Sequence, residues 1–442
     1  MSVKQMLRAV SGAVLAGALV IGTAPAASAD YIRDGQWALD AFNTQNTWQQ
    51  ATGKGVTVAV IDSGVNGDHP DLKGSVLPGK SFTSGGGTAD HESSDDHGTA
   101  MAALIAGHGH GPNNADGIMG LAPGAKILPV KRKDAEQTVS AENGFAQPLR
   151  YAVDQGAKVV NMSFGGGASI DQAEKETIRY ALEKDVLIVA ATGNEGVGTP
   201  TYPSAAAGIL AVGAVAKDGQ VWRKSNYGPH TRLLAPGEGI YSAGLGAKYR
   251  QADGTSDATA YVSAAAALVR SKFPDLTAGQ VANRLTKTAI TPDGKSGIST
   301  PSPKYGYGTI RPYRALTENI PAGSKYGPLK APEVQDPTSA GHDGAAAGEA
   351  GERKASGSSG IGIPPIVIIG LVLVVIVVLL VVVIVVVRRK KNNGGPPSGG
   401  PGGYGGPGGS VGYPPHQPGP YQQQPNPYGS YPSAPPAQPP GQ

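Results

Sequence analysis

The sequence predicts an α/β domain with a mainly parallel central sheet, followed by one membrane-spanning helix and a disordered tail. Three observations lead there. Short β-branched runs such as Val56 to Ile61 and Val186 to Val189 are apolar without alternation, as strands covered on both faces are. Small-residue stretches of helical composition lie among them, Ala100 to Ala106 and a mostly Ala segment within Asp257 to Arg270. Finally, Ile366 to Val387 holds 22 residues of Ile, Val and Leu with one Gly and no charge. As a helix it would be about 33 Å long, enough to cross a bilayer's hydrocarbon core.

Residues 1–29 read as a secretory signal. Lys4 and Arg8 form a basic start, Ala9 to Ala24 a small apolar stretch, and Ala27-Ser28-Ala29 a cleavage triplet that would leave Asp30 first. Residues 30–55 form a short extension before the first strand, too short for a long folding propeptide. The chain has no cysteine, which removes thiol catalysis and thiolate metal sites. A domain of this size buries enough apolar surface without disulfides. The formal net charge of +4 over 442 residues argues against a nucleic-acid-binding surface.

Within the domain expected over 56–318, three distant segments place reactive residues in defined settings. Val56 to Ile61 delivers Asp62 to the carboxyl end of a buried strand, where open α/β sheets bind ligands. His97 precedes Gly98-Thr99 and a small-residue helix ending at Gly107. Gly254-Thr255-Ser256 opens the Ala-rich helix. Asp, His and Ser are the components of an activated serine nucleophile: imidazole takes the hydroxyl proton, and a buried carboxylate fixes its tautomer and stabilises its cation. Asp95 and Asp96 are further candidates to raise the imidazole's pKa, with Asp62 the expected partner. His108-Gly109-His110 reads as a pair of loop histidines without carboxylate neighbours, so no metal site is expected.

The order Asp62, His97, Ser256 and the blocks around them resemble the subtilisin-like serine proteases over roughly residues 53–318. The resemblance implies a subtilisin-like three-layer fold and peptide-bond hydrolysis on protein or peptide substrates, with no cofactor. Val159 to Gly166 resembles the family's strand and turn along the substrate cleft, which implies that Ser163, Phe164, Gly165 and Gly166 meet an extended peptide by main-chain pairing. Ala191, Thr192 and Gly193 fall at the first specificity pocket, and Thr192 stands where a small residue is usual. Asn194 matches the asparagine whose side-chain amide stabilises the oxyanion, with the Ser256 N–H as second donor. Thr201 to Ser204, Ile209 to Val215, Ala235 to Ile240 and Tyr305 to Thr317 fit later loops and strands. Two positions depart from the family pattern around the serine: Asp257 replaces an apolar residue and Ala260 a proline. Asp257 suits a helix N-terminus but sets a second carboxylate beside the nucleophile.

The Ile32-Arg33-Asp34-Gly35-Gln36-Trp37 and Leu39-Asp40-Ala41 segments, with a C-terminal anchor, resemble the mycosins, membrane-anchored proteases associated with type VII secretion in actinobacteria. That implies an N-terminal stretch lying along the domain, and a type VII secretion membrane complex as partner. A structural role in such a complex, with dispensable proteolysis, is the alternative.

The remaining chain is built for anchoring. Residues 319–360 are rich in Gly, Ala, Ser and Pro and read as a flexible linker. The span is expected over 361–387, and Arg388-Arg389-Lys390-Lys391 places its far end in the cytoplasm and the catalytic domain outside. Residues 388–442, rich in Gly, Pro, Tyr and Gln, read as a disordered cytoplasmic tail.

Overall fold

The computed structural model describes residues 30–91, 95–132, 144–291 and 298–330. The expected signal sequence, membrane span and tail lie outside these residues, as does most of the expected linker; among the described residues no helix is long and apolar enough to cross a membrane.

Eleven strands and nine α-helices occur among the described residues. In chain order the helices α1 (Asp30–Asp34), α2 (Trp37–Ala41) and α3 (Thr44–Gln50) precede strands β1 (Thr57–Asp62) and β2 (Lys80–Ser81). Helix α4 (His97–Ala106) leads to a hairpin of β3 (His108–His110) and β4 (Asp116–Met119), then β5 (Lys126–Lys131), α5 (Ala146–Asp154) and β6 (Val159–Met162). There follow α6 (Gln172–Glu183), β7 (Leu187–Ala191), β8 (Ile209–Val215) and β9 (Thr231–Pro236). A second hairpin, β10 (Ile240–Ala243) and β11 (Tyr249–Ala252), precedes α7 (Thr255–Lys272), α8 (Ala278–Thr288) and α9 (Pro312–Thr317).

The central sheet has seven strands in the order β2-β5-β1-β6-β7-β8-β9, and its pairings are parallel. Val58 sits opposite Ile127 on one side and Val159 on the other. The chain leaves β1 towards β5 and then returns to β6 on the other flank. This reversal opens a crevice at the carboxyl ends of β1 and β6, the place where open parallel sheets hold ligands. The sheet strands are nearly continuous buried apolar runs, as their composition predicts; β8 is buried at every residue.

Helices α4 and α7 pack on each other and on the sheet, α4 against β1 and β5 and α7 against β6 to β9. Their small side chains permit this close approach. Every residue of α4 after His97 is buried, as is almost all of α7. A second helical layer, α5 against α6, rests on β5, β1 and β7. Helix α7 starts at Thr255 rather than Asp257, so Ser256 lies inside its first turn.

Residues 30–50 are part of this body. Ile32, Leu39 and Phe42 are buried in the core, and the Phe42 ring meets Tyr261 of α7 edge-on at 5.1 Å. Gln36 exchanges two 2.9 Å hydrogen bonds with the Met119 backbone, and Trp37 Nε1 donates to the Glu238 carbonyl. Arg33 donates to the carbonyls of Asn114, Asp116 and Gly117.

Two expectations are corrected. Residues 319–330, assigned to the linker, pack on α8. Thr277 Oγ1 donates to the Lys325 carbonyl, Asn283 to those of Pro321 and Ala322, and Arg284 to that of Ile320, while Leu329 is buried. Composition missed this because backbone carbonyls, which every residue carries, make the contacts. His108 and His110 lie on β3 rather than in a loop, and the hairpin brings His110 Nδ1 to 2.6 Å from Asp71 Oδ1. A carboxylate is therefore beside them. Among the described residues no group of three His, Asp or Glu side chains is arranged to hold a metal.

Candidate active site

The candidate residues lie at the carboxyl ends of β1, β6 and β7 and at the starts of α4 and α7. Asp62 closes β1, with its carboxylate 6 % exposed. Oδ1 accepts from His97 Nδ1 at 2.8 Å and from the Ser63 N–H at 2.9 Å. His97 opens α4, and Gly98 is what lets it do so here. A Cβ on Gly98 would lie 2.1 Å from the Gly64 carbonyl oxygen. The Gly98 N–H also donates to Ser63 Oγ at 3.1 Å, so the β1 terminus and the α4 start are locked together. The imidazole remains about one-third exposed and reachable from the crevice.

The negative charge of Asp62 is the largest influence on His97 and raises its pKa above the ordinary 6.5. Burial opposes this, the hydrogen bond that His97 donates to Asp62 reinforces it, Asp257 adds to it, and Arg250 works against it. Asp95 and Asp96, flagged from sequence as neighbours, are engaged elsewhere. Asp95 Oδ1 accepts from the His97 backbone N–H at 3.0 Å, and Asp96 Oδ1 takes a 3.0 Å ion pair from Arg250.

Ser256 is held against the end of β6 by reciprocal bonds. Its Oγ donates to the Ser163 carbonyl at 3.0 Å, and Ser163 Oγ donates to the Ser256 carbonyl at 3.0 Å. Behind them Asn161 Nδ2 donates to Ser163 Oγ, and Ser263 Oγ to Asn161 Oδ1. The Ser256 hydroxyl thus gives its proton to the Ser163 carbonyl in this state.

Asn194 lies exposed in the turn after β7. Its Oδ1 accepts from both the backbone N–H and the hydroxyl of Thr255, at 2.9 and 2.8 Å. With the oxygen tied to the start of α7, the amide NH₂ is the end left for another acceptor. The turn is braced by residues that sequence reasoning missed. Asn226 Oδ1 accepts from the N–H groups of Glu195 and Val197, and its Nδ2 donates to Glu195 Oε2 at 2.6 Å. Gly193 adopts φ +106, and a Cβ there would meet Asn226 Nδ2 at 2.4 Å. No local signal marks Asn226, because its partners lie some 30 residues earlier.

Gly165 and Gly166 are exposed and Phe164 half-buried along one wall, with the Arg132 guanidinium 4.0 Å above the Phe164 ring. Ser163, Ala191 and Thr192 are buried. Thr192 Oγ1 donates to the Asn226 carbonyl, so its side chain faces the body rather than the crevice. Two adjoining hollows follow this wall. One, of about 450 Å³, is bounded by Asp62, His97, Arg132 and Phe164, and the other, of about 850 Å³, by Phe164 to Gly167, Ile170 and Tyr202. They share Arg132 and Phe164 and so adjoin along this wall.

Comparison with known proteins decides the family. Residues 53–308 match the model of the subtilase family, peptidase S8. The chain belongs to the subtilase family. It is a serine endopeptidase, related to the mycosins. It is 34 % identical over 359 residues to mycosin-1 of Mycolicibacterium smegmatis, an alignment covering 69 % of this chain and 77 % of that one. The crystal structure of MycP1 from Mycobacterium smegmatis superposes with a TM-score of 0.58 at 32 % identity, covering 68 % of this subtilase and 89 % of MycP1. The MycP3 protease from the type VII (ESX-3) secretion system gives 0.56 at 34 % identity over 64 % and 88 % of the two chains. The subtilase match begins at residue 53, so helices α1 to α3 precede the matched segment.

Proposed function

We propose that this subtilase is a membrane-anchored endopeptidase that hydrolyses exported proteins through an acyl-enzyme on Ser256, in association with type VII secretion. The observation that supports the chemistry is the 2.8 Å bond from His97 Nδ1 to Asp62, with Ser256 tied to Ser163 at the end of β6 and Asn194 tied to Thr255 at the start of α7. After rotation of its hydroxyl, Ser256 gives its proton to His97 Nε2 and its oxygen bonds to the scissile carbonyl carbon. The carbonyl electron pair moves to oxygen, where the Asn194 amide and the Ser256 N–H stabilise it. Collapse breaks the C–N bond as His97 returns the proton to the leaving amine. Water, deprotonated by His97, then releases the acyl group by the same route. Asp62 orients the imidazole and balances its charge. Gly165 and Gly166 offer main chain for pairing with the substrate, beside Phe164 and the Gly193 turn.

Anchoring rests on the uncharged run Ile366 to Val387 with the basic cluster beyond it, and export on the N-terminal signal pattern. The secretion context rests on similarity to mycosin-1 and to MycP3, whose description names type VII secretion. The test is complementation of a deletion strain with the wild-type or Ser256→Ala protein, scoring processing of exported proteins. The expected result is processing with wild type only. Full processing with Ser256→Ala would overturn the proteolytic reading, and restored secretion without processing would assign the protein a structural part in the complex.

A further inference from the structure

The two hollows beside the crevice share one pair of side chains, Arg132 and Phe164. Arg132 is the first residue after β5, and its backbone N–H donates to the Asp62 carbonyl at 2.9 Å. This bond sets the root of its side chain beside the end of β1. The guanidinium reaches across to the Phe164 ring, 4.0 Å from its centroid, a cation–π distance that steadies a long side chain. A peptide extended along Gly165 and Gly166 projects every second side chain to one face, about 7 Å apart. Adjoining hollows on that wall suit one such side chain each. The two hollows differ in charge. Asp62 and Asp95 line the smaller one, which therefore disfavours another carboxylate. The larger has an apolar body, with Phe145, Ile170 and Tyr202 on its walls, and its charged lining residues among the described residues are Arg132 and Glu174. Glu174 is 9 % exposed and committed to the backbone. Its Oε1 accepts from the Phe145 N–H at 3.3 Å, and its Oε2 from the Asp171 N–H at 2.9 Å, closing the cap of α6.

We infer that Arg132 is a specificity-determining residue that selects substrates with an acidic side chain, glutamate above all, in the larger hollow. The methylene stem lies against the apolar walls while the carboxylate takes a charge-assisted hydrogen bond from the guanidinium. Glutamate suits the hollow better than aspartate because its longer stem covers more of those walls. Arg132 is only half-buried, so the attraction weakens as salt rises. The inference rests on the proposed reading of the crevice as a proteolytic site, and it names the class of protein that site accepts. A packing role alone, with Arg132 merely covering Phe164, predicts instead an apolar preference that ignores the charge at position 132.

The test uses full-length protein in detergent and a peptide library in which each position in turn is fixed as Glu, Gln, Lys or Leu. Relative kcat/KM is measured for wild type, Arg132→Gln, Arg132→Lys and Arg132→Glu. In parallel, the peptides retained by Ser256→Ala, with and without Arg132→Glu, are counted by mass spectrometry. Each Glu-to-Gln ratio is taken within one preparation, so partial loss of folded protein cancels. Wild type is expected to favour Glu over Gln about tenfold at one position, and less so at about 1 M salt. Arg132→Lys keeps a preference of the same sign, Arg132→Gln abolishes it, and Arg132→Glu turns it towards Lys at that position. Equal rates for Glu and Gln at every position in wild type, or a Glu preference unchanged in Arg132→Gln, would overturn the inference. So would a lead of Leu over Glu that is the same in wild type and Arg132→Glu. Retention of Glu peptides by Ser256→Ala, lost on adding Arg132→Glu, supports the inference even if wild type cleaves nothing; that lack of cleavage would overturn instead the role of Ser256 as nucleophile.

Discussion

At the scale of single residues, the site is held by short-range hydrogen bonds that still leave one oxygen of Asp62 and one of Asp257 without a partner among the described residues. Asp62 spends one oxygen on His97 and Ser63, Asn194 gives its oxygen to Thr255, and Ser163 and Ser256 exchange hydroxyl and carbonyl contacts. Asp62→Asn preserves this shape but removes the charge that raises the His97 pKa, and leaves the wrong tautomer facing Ser256. It is expected to lower kcat by about 10⁴-fold with the fold intact, measured on peptide substrate with circular dichroism as control. The wild-type pH profile has a definite sign. His97 must be neutral to accept a proton, and its folded pKa lies above 6.5, so kcat/KM should rise with pH through a limb above 6.5. A limb at or below 6.5 would contradict the ion pair. Asp257 carries the opposite lesson for stability. Its folded pKa, about 6, exceeds the ordinary 3.8. Its contribution is therefore fully present below pH 3.8 and lost as pH rises towards 6. At pH 8 the buried charge costs roughly 3 kcal/mol. Asp257→Asn should therefore raise the melting temperature at pH 8 and leave it nearly unchanged at pH 3.5. Equal changes at both values would refute a charge penalty.

At the scale of elements, the proposed catalytic groups depend on termini rather than interiors: the carboxyl ends of β1, β6 and β7 and the amino ends of α4 and α7. These ends are positioned by the packing behind them. Phe42, the residue capping the C-terminus of α2, bears on that packing, because its ring rests on Tyr261, five residues along α7 from Ser256. Phe42→Ala removes a large buried ring and should cost about 3–5 kcal/mol in unfolding free energy. Below the melting transition the variant should retain kcat within about threefold. Urea unfolding and steady-state kinetics on the same preparation check both halves; a stability loss under about 1 kcal/mol would show that α1 to α3 are only loosely applied to the body.

At the scale of the whole molecule, legibility in the sequence divided along the range of the interactions. The parallel α/β sheet was readable because unbroken apolar strands report burial on both faces residue by residue, as in Val186 to Ala191. Asp62, His97 and Ser256 stand out as candidates because each sits in its own short segment beside a glycine or strand, whereas Asn194 is a candidate only through the family resemblance of its turn. What could not be read is what crosses the chain. Arg250 reaches Asp96 over 154 positions, Arg33 reaches the β3–β4 hairpin, and Asn226 braces the Asn194 turn, none with a local pattern. The burial of Thr192 was equally hidden, since its hydroxyl is claimed by a carbonyl 34 residues away. Anchoring makes a prediction on this same scale. If the span from Ile366 to Val387 crosses the membrane with its basic end inside, protease added to intact cells should release the catalytic domain and spare the tail. A protected domain would reverse the orientation.

The central claim is that Ser256, activated by His97 and Asp62, is the nucleophile. Fluorophosphonate labelling of the full-length protein, read as intact mass beside Ser256→Ala, tests it most directly. One covalent adduct is expected on the wild type, located to Ser256, and none on the variant. An adduct on both proteins, or on neither, would contradict it.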